Sequence, residues 1–386
     1  MPGRTLQVLA ASTIAVCMAA CLDGDDAATT EPERVETTES AGATQSTSTP
    51  EPGTTAPTGE PDVAVVAAST SWSPVLDVPA VSPPPTASCD TTNSDVAGEL
   101  GLPDFMVAPL GPEPPTTGWF AAFDSKTHSV TVIGQYGDGE RVAAGSLDVC
   151  TDTWSPISSV LQHPDTGATG YKQALVYDVD SDAMVAYTSE GVFVYASERD
   201  EWQHHPVPRS DSGLPEVLSA AYHPASGMII VADANQLLAH DIDTDEWLPI
   251  ATFPDSTDEL QGAFIRGRLG FLGVHAGMDR LMLTEQDTTR LTDPVTGEAM
   301  VIKRPDFDPN VDHVWSNKAY GPAGGTVFVT DDRTGDLCGF DADTLAWDHC
   351  FPSGADASWA IVGDPINDRL LAISTSTIET WPLPQP

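Results

Sequence analysis

Five stretches of eleven residues fall into a single register: "AGSLDVCTDTW" (144–154), "VFVYASERDEW" (192–202), "LLAHDIDTDEW" (237–247), "LMLTEQDTTRL" (281–291) and "LCGFDADTLAW" (337–347). Each opens on apolar residues, passes through a turn rich in Asp and Thr, and ends on a large side chain. Four end on Trp154, Trp202, Trp247 or Trp347, and Leu291 takes that place in the other. The starts lie 48, 45, 44 and 56 residues apart. A turn and an aromatic strand recurring at this period build one sheet unit per repeat, not a single mixed core.

A second unit precedes these. "AFDSKTHSVTVI" (122–133), "VYDVDSDAMVAY" (176–187), "AYHPASGMIIVA" (221–232), "AFIRGRLGFLGV" (263–274), "AYGPAGGTVFVT" (319–330) and "VGDPINDRLLAI" (362–373) each place a turn between two short apolar strands. Every repeat then reads as four short strands with little helical periodicity, which is the make-up of a propeller blade. The sixth repeat stops early: "STSTIETWPLPQP" supplies a third strand, with Trp381 at the place of Tyr195, His240 and Phe340. Open sheet edges invite aggregation, so the missing strand should come from elsewhere. "STSWSPVLDV" (69–78) mirrors "TDTWSPISSV" (151–160), with Trp72 standing for Trp154. The expectation is an all-β, six-bladed β-propeller of four-stranded antiparallel blades, the last blade completed by an N-terminal strand within 62–78. Residues 79–118 form a Pro-rich connection and residues 119–386 the blades.

Asp241, Asp243 and Asp245 alternate ahead of Trp247, and alternating carboxylates can hold calcium. A metal loop should keep its ligands wherever it recurs. The register instead puts Asp148, Ala196, Glu285 and Asp341 at position 241, and Cys150, Glu198, Asp287 and Asp343 at position 243. What recurs is turn chemistry, in which Asp and Thr bond their own backbone.

Ahead of the repeats, "MPGRTLQVLAASTIAVCMAAC" sets a basic residue before an apolar run and small residues, the layout of an export signal over residues 1–20. "MAAC" resembles the bacterial lipoprotein cleavage box, which implies lipid attachment at Cys21; cleavage without lipidation is the alternative. Residues 21–61, rich in Thr, Ser, Pro and Glu, lack the apolar side chains that offset ordering entropy and read as a disordered tether. The chain is thus expected to be exported and lipid-anchored at the outer side of the bacterial cell envelope. Cys89, Cys150, Cys338 and Cys350 remain for disulfides, with three connectivities open. Cys338–Cys350 would bridge a hairpin symmetrically, and Cys89–Cys150 would pin the connection to the first blade. A net charge of −41, from 16 basic and 57 acidic residues, argues against nucleic acid and against electrostatic binding to anionic lipid.

The Trp series with Tyr177-Asp178 resembles, over about residues 119–386, the kelch and galactose-oxidase type of β-propeller, in which "YD…W" units repeat. The glycine pair that ends the second strand of a kelch repeat is replaced here by "VIGQ", "VAYTSEG" and "IIVADA", so the resemblance is one of architecture. It implies no copper chemistry, because no tyrosine–cysteine pair with two histidines can be assigned.

Loops between second and third strands commonly gather around a propeller's central channel. They supply Asp138, Glu190, Asp233, Asn235, His275, Asp331, Asp332 and Arg333 as candidates for a cation or a hydroxyl-rich ligand. Asp306, Asp308, Asn310 and Asp312 have calcium-like spacing but lack the glycine and glutamate of the established loop. No GxSxG, HExxH or P-loop occurs. The sequence therefore points to a non-catalytic binding or assembly module for an extracytoplasmic protein or glycan. No cofactor is expected unless Ca2+ binds. The alternative is an enzyme acting on an extracellular saccharide or small molecule, with carboxylates in the channel.

Overall fold

The structure is a computed structural model. It describes residues 63–66, 89, 98–107, 119–136, 141–157, 161, 172–197, 199–205, 207, 217–233, 236–252, 271–275, 280–284, 288–303, 315–320, 326–331, 336–341, 344–352, 360–373 and 377–382.

The first described elements are β1 (Val63–Val66), β2 (Gly98–Gly101) and a single helical turn, α1 (Asp104–Val107). One antiparallel sheet follows from β3 (Trp119–Asp124), β4 (Ser129–Tyr136), β5 (Arg141–Asp148) and β6 (Thr153–Pro156). The second holds β7 (Lys172–Asp178), β8 (Ala183–Thr188), β9 (Gly191–Ala196) and β10 (Glu201–His205). The third holds β11 (Val217–His223), β12 (Met228–Asp233), β13 (Gln236–Asp241) and β14 (Glu246–Thr252). In the fourth, β15 (Phe271–His275), β16 (Arg280–Thr284), β17 (Thr288–Thr292) and β18 (Ala299–Lys303) are joined by β1. The fifth holds β19 (Trp315–Tyr320), β20 (Thr326–Asp331), β21 (Asp336–Asp341) and β22 (Ala346–Pro352). β23 (Ala360–Asp364), β24 (Arg369–Ile373) and β25 (Thr377–Pro382) make the last, with β2 beside β25. First strands adjoin in order, β3, β7, β11, β15, β19, β23 and back to β3. The chain is an all-β propeller of four-stranded antiparallel blades.

Three expectations are corrected. Five sheets are four-stranded blades, where six were expected, because β1 adds a fifth strand to the sheet of β15–β18. The described part of the 62–78 stretch, β1, does not complete the last blade: it pairs with β18, from Val63↔Ile302 to Val66↔Ala299, while Trp72 and the rest of 69–78 lie outside the described residues. The place beside β25 is held by β2, Gly98↔Thr380 through Gly101↔Thr377, inside the stretch read as a Pro-rich connection. The third correction concerns the fourth repeat, where residues 285–287 join second and third strands instead of third and fourth. Its equivalent turn starts at Asp293, so the unit is 289–299 and Ala299 stands where the others carry Trp. With starts at 144, 192, 237, 289 and 337, the spacings become 48, 45, 52 and 48.

One hairpin turn recurs. Asp148 Oδ1 accepts the N–H groups of Cys150 and Thr151 at 2.8 and 3.2 Å. Asp241 does the same for Asp243 and Thr244 at 3.0 and 3.2 Å. Asp293 does so for Val295 and Thr296 at 2.8 and 2.9 Å, and Asp124, Asp178 and Asp364 repeat the arrangement between first and second strands. Four residues after each of these carboxylates the backbone turns left-handed, at His128, Asp152, Asp182, Asp245, Asp368 and Gly297. Asp and Gly tolerate that conformation, which is why they recur there. Asp241 is thus the start of a hairpin turn, as the register argument required.

The core lies between sheets. Ile133, Ala186, Phe193 and Trp202 pack the first sheet on the second, and Val185, Tyr187, Ile229 and Val231 pack the second on the third with Trp247 against them. Val130, Val132, Leu371, Ile373 and Ile378 join first to last, with Met106 of α1 in the same cluster and Trp154 against it. Gly134 pairs with Trp119, whose ring would collide with any Cβ there.

The junction of last and first sheets also carries a buried ionic lock. Arg369, 1% exposed, donates from Nε to Asp364 Oδ2 at 2.7 Å and from Nη2 to Asp152 Oδ1 at 2.6 Å. Asn367 Nδ2 donates to the Val149 carbonyl at 2.8 Å. Removing one partner of a buried ion pair leaves an uncompensated charge. Arg369→Ala should lower unfolding free energy by about 3–5 kcal/mol, read from urea unfolding of both proteins. Cys338 and Cys350 occupy directly paired positions of β21 and β22. Peptide mapping without reductant is expected to recover them linked; two free thiols there would contradict that.

Candidate functional site

The repeated turn sorts the molecule into two ends. Connections of strand one to two and of three to four lie at one end of each sheet, and connections of two to three lie at the other.

At the two-to-three end, Glu190 sits in the two-residue turn between β8 and β9. Its N–H donates to Thr188 Oγ1 at 3.0 Å, and its carbonyl lies 3.1 Å from His204 Nε2. Asp233 and Asp331 close β12 and β20 at the same end of their sheets. His275 does not join them. It closes β15 and pairs with Arg280 across a first-to-second-strand turn, the place held by Asp178, His223 and Asp364 elsewhere. The misframed fourth repeat had put it at the wrong end. Asp138, Asn235, Asp332 and Arg333 lie outside the described residues, as do Cys21 and the quartet Asp306, Asp308, Asn310 and Asp312.

The junction of second and third sheets holds groups that sequence reasoning did not select, reaching from Tyr187, next to the end of β8, to the turn that begins at Asp241. Between second and third sheets, Tyr187 Oη lies 3.0 Å from His240 Nδ1, and His240 Nε2 lies 3.3 Å from Asp245 Oδ1. His240 stacks on Trp247 with ring centroids 3.9 Å apart, and His205 Nδ1 is 3.8 Å from Asp245. Burial holds the His240 imidazole down to about 4, against the pull of Asp245, so the ring is neutral near pH 7. Its unfolded value is the ordinary 6.5, so the stability it contributes is complete above that pH and is lost as pH falls toward 4. Burial also drives the Tyr187 hydroxyl well above its usual range, with Asp178 and Asp245 adding to it. The available signal was positional: His240 occupies a register place that is Leu147 or Phe340 in other repeats.

Asp178 is the reverse case. Its Oδ1 accepts the N–H groups of Asp180 and Ser181, but its buried Oδ2 has no hydrogen-bond partner among the described residues. Burial raises its carboxyl to about 6, the two backbone N–H groups oppose the rise, and Asp180 and Asp243 add to it. The equivalent Asp364 has Arg369 across from it, whereas Asp178 has Ala183.

In the first sheet, Cys89 and Cys150 are disulfide-bonded with Cα atoms 5.5 Å apart, as expected. His128 Nδ1 lies 3.6 Å from Cys150 Sγ. The three side chains form the one compact group of metal-ligating atoms found among the described residues, all within 4.8 Å of one another.

No protein-family model matches the sequence, and no curated protein matches it either. Solved structures do. An auxiliary nutrient binding protein from Bacteroides ovatus superposes with a TM-score of 0.50 at 11% identity, over 78% of this chain and 76% of that one. A protein of unknown function from Bacteroides thetaiotaomicron gives 0.47 at 12% identity, over 76% and 74%. A β-propeller domain from Myceliophteria thermophila gives 0.45 at 12% identity, over 69% and 98%. Identity this low speaks to the fold alone.

The uncompensated Asp178 carboxyl makes a directional prediction. With a folded value near 6 and an unfolded value near 3.8, ionising Asp178 costs stability progressively as pH rises from about 4 to 6. Asp178→Asn should therefore stabilise the protein at pH 7 by about 1–3 kcal/mol, the gain shrinking as pH falls toward 4. Urea unfolding at pH 4, 5, 6 and 7 measures it.

Proposed function

We propose that this protein is a non-catalytic binding or assembly module of the bacterial cell envelope. The observation that carries the reading is the separation of the two ends. Tight repeated turns occupy one end, leaving second-to-third-strand connections of differing length, several of them acidic, on a rigid ring at the other. Glu190, Asp233 and Asp331, with Asp138, Asn235, Asp332 and Arg333 in the same series of loops, suit a hydroxyl-rich glycan or a cationic patch on an extracytoplasmic protein. Calcium bound by those carboxylates would serve the same recognition. The Bacteroides ovatus neighbour is a nutrient binding protein, which supports the binding reading proposed here. Within the propeller class, the kelch-like "YD…W" units remain the nearest sequence pattern. Lipid attachment at Cys21 and the tether over 21–61 would hold the ring clear of the membrane and give the module its place outside the cell.

The test is thermal shift of the full chain against a panel of glycans and divalent cations, with EDTA as control. A glycan or cation is expected to raise the melting temperature without being consumed. A Glu190→Gln/Asp233→Asn/Asp331→Asn variant should lose that shift while keeping its own ligand-free melting temperature. Turnover of a glycan would instead favour the saccharide-acting enzyme. Cys21→Ser should move the protein from the membrane fraction to the soluble fraction of an expressing bacterium.

A further inference from the structure

The Cys89–Cys150 bond has an imidazole beside it. His128 Nδ1 is 3.6 Å from Cys150 Sγ, and Cys89 Sγ lies within 4.8 Å of that nitrogen. Two sulfurs and one imidazole nitrogen are the donor set of thiophilic cations such as zinc(II). With Zn–S near 2.3 Å and Zn–N near 2.0–2.1 Å, tetrahedral geometry sets sulfur and nitrogen about 3.6 Å apart. One edge of that tetrahedron therefore already stands, and only Cys89 Sγ has to withdraw once the bond to Cys150 is broken.

The standing edge is held by the backbone. His128 takes the left-handed position of its turn, φ 55°, and its carbonyl accepts the Val149 N–H at 3.0 Å. The Cys150 N–H donates to Asp148 Oδ1 at 2.8 Å. Cys150 occupies a register place that carries Glu198, Asp243 and Asp343 in three other repeats, so a soft ligand stands in place of a carboxylate at a turn with His128 alongside. All three side chains are partly buried, and three protein ligands leave a fourth position for water.

We infer that, with this bond reduced, Cys89, His128 and Cys150 form a site for a thiophilic divalent cation of the zinc(II) class, and that the redox state of the pair decides its occupancy. A dithiol reductant delivers two electrons and two protons to the disulfide, leaving as a disulfide itself and giving two cysteine thiols. Metal binding then displaces both thiol protons to solvent, and two thiolates with neutral imidazole hold the ion. Reoxidation by a disulfide of lower stability removes two electrons from the thiolates and expels the cation. The net negative charge of the chain raises the local concentration of divalent cations.

The experiment uses the full chain with Cys17, Cys21, Cys338 and Cys350 changed to Ser, so that only one pair of thiols is present. Cobalt(II) is titrated anaerobically into reduced and oxidised samples, followed by its ligand-field and thiolate charge-transfer absorption, and zinc(II) is then added in competition. The reduced chain is expected to take up one cobalt with a tetrahedral spectrum, displaced by zinc, and the oxidised chain none. His128→Ala should weaken the reduced site by about tenfold or more, and Cys89→Ser should weaken binding and lower the charge-transfer band per cobalt to that of a single thiolate. No uptake by the reduced chain, or equal affinity in His128→Ala, overturns the inference. So does uptake by a reduced chain whose near-ultraviolet circular dichroism shows that packing is lost.

Discussion

A carboxylate accepting two backbone N–H groups, followed four residues later by a left-handed residue, is the constraint on which the molecule depends. It closes hairpins between first and second strands at Asp124, Asp178 and Asp364, and between third and fourth strands at Asp148, Asp241 and Asp293. A turn of fixed length fixes register, and a one-residue slip in register would send every core side chain to the wrong face. In an antiparallel sheet whose strands follow chain order, both kinds of hairpin fall at the same end. The other end is then free to vary in loop length, which is where recognition can diversify without disturbing the core.

The same constraint explains what could be read in advance. Repeat period, strand order and the role of Asp241 follow from turn chemistry, which is local and written in adjacent residues. Frame errors arose where the local signal changed identity: in the fourth repeat Ala299 replaces the marker Trp and Gly297 replaces the left-handed Asp, while the neighbouring "EQDTTRL" imitates the pattern. That single slip moved His275 to the wrong end. Closure was misassigned for a different reason. Which strand lies beside β25 is a long-range competition among N-terminal segments, and likeness of 69–78 to 151–160 around one Trp carries no information about it. β2, "GELG", has no aromatic signature at all.

Site residues divide along the same line. The positions of the candidates Glu190, Asp233 and Asp331 were legible because a loop position follows from strand order. Tyr187, His240 and Asp178 were not, because their character comes from neighbours on another sheet: an imidazole is unremarkable in sequence, and burial between two sheets is what holds this one down to about 4. A repeat alignment still holds the clue, since a histidine at a register place that carries Leu147 and Phe340 in other repeats must find partners when buried.

Two junctions between sheets show how connectivity decides where charge is compensated. Second and third sheets are linked by residues 206–216, a short covalent tie, and there the buried Asp178 carboxyl is tolerated with Ala183 opposite. Last and first sheets come from distant parts of the chain; Arg369 and Asp152 are 217 residues apart. Bringing such segments together carries a loop-closure cost that no short linker reduces. At that junction the equivalent carboxyl, Asp364, is met by a guanidinium that also grasps Asp152, and Asn367 adds a bond to the Val149 carbonyl. A buried ion pair adds little stability over a well-packed apolar one, but its bidirectional geometry admits one alignment of the two sheets. The guanidinium thus sits where an open ring has most freedom to misalign, and the uncompensated carboxylate sits where the covalent chain already limits that freedom.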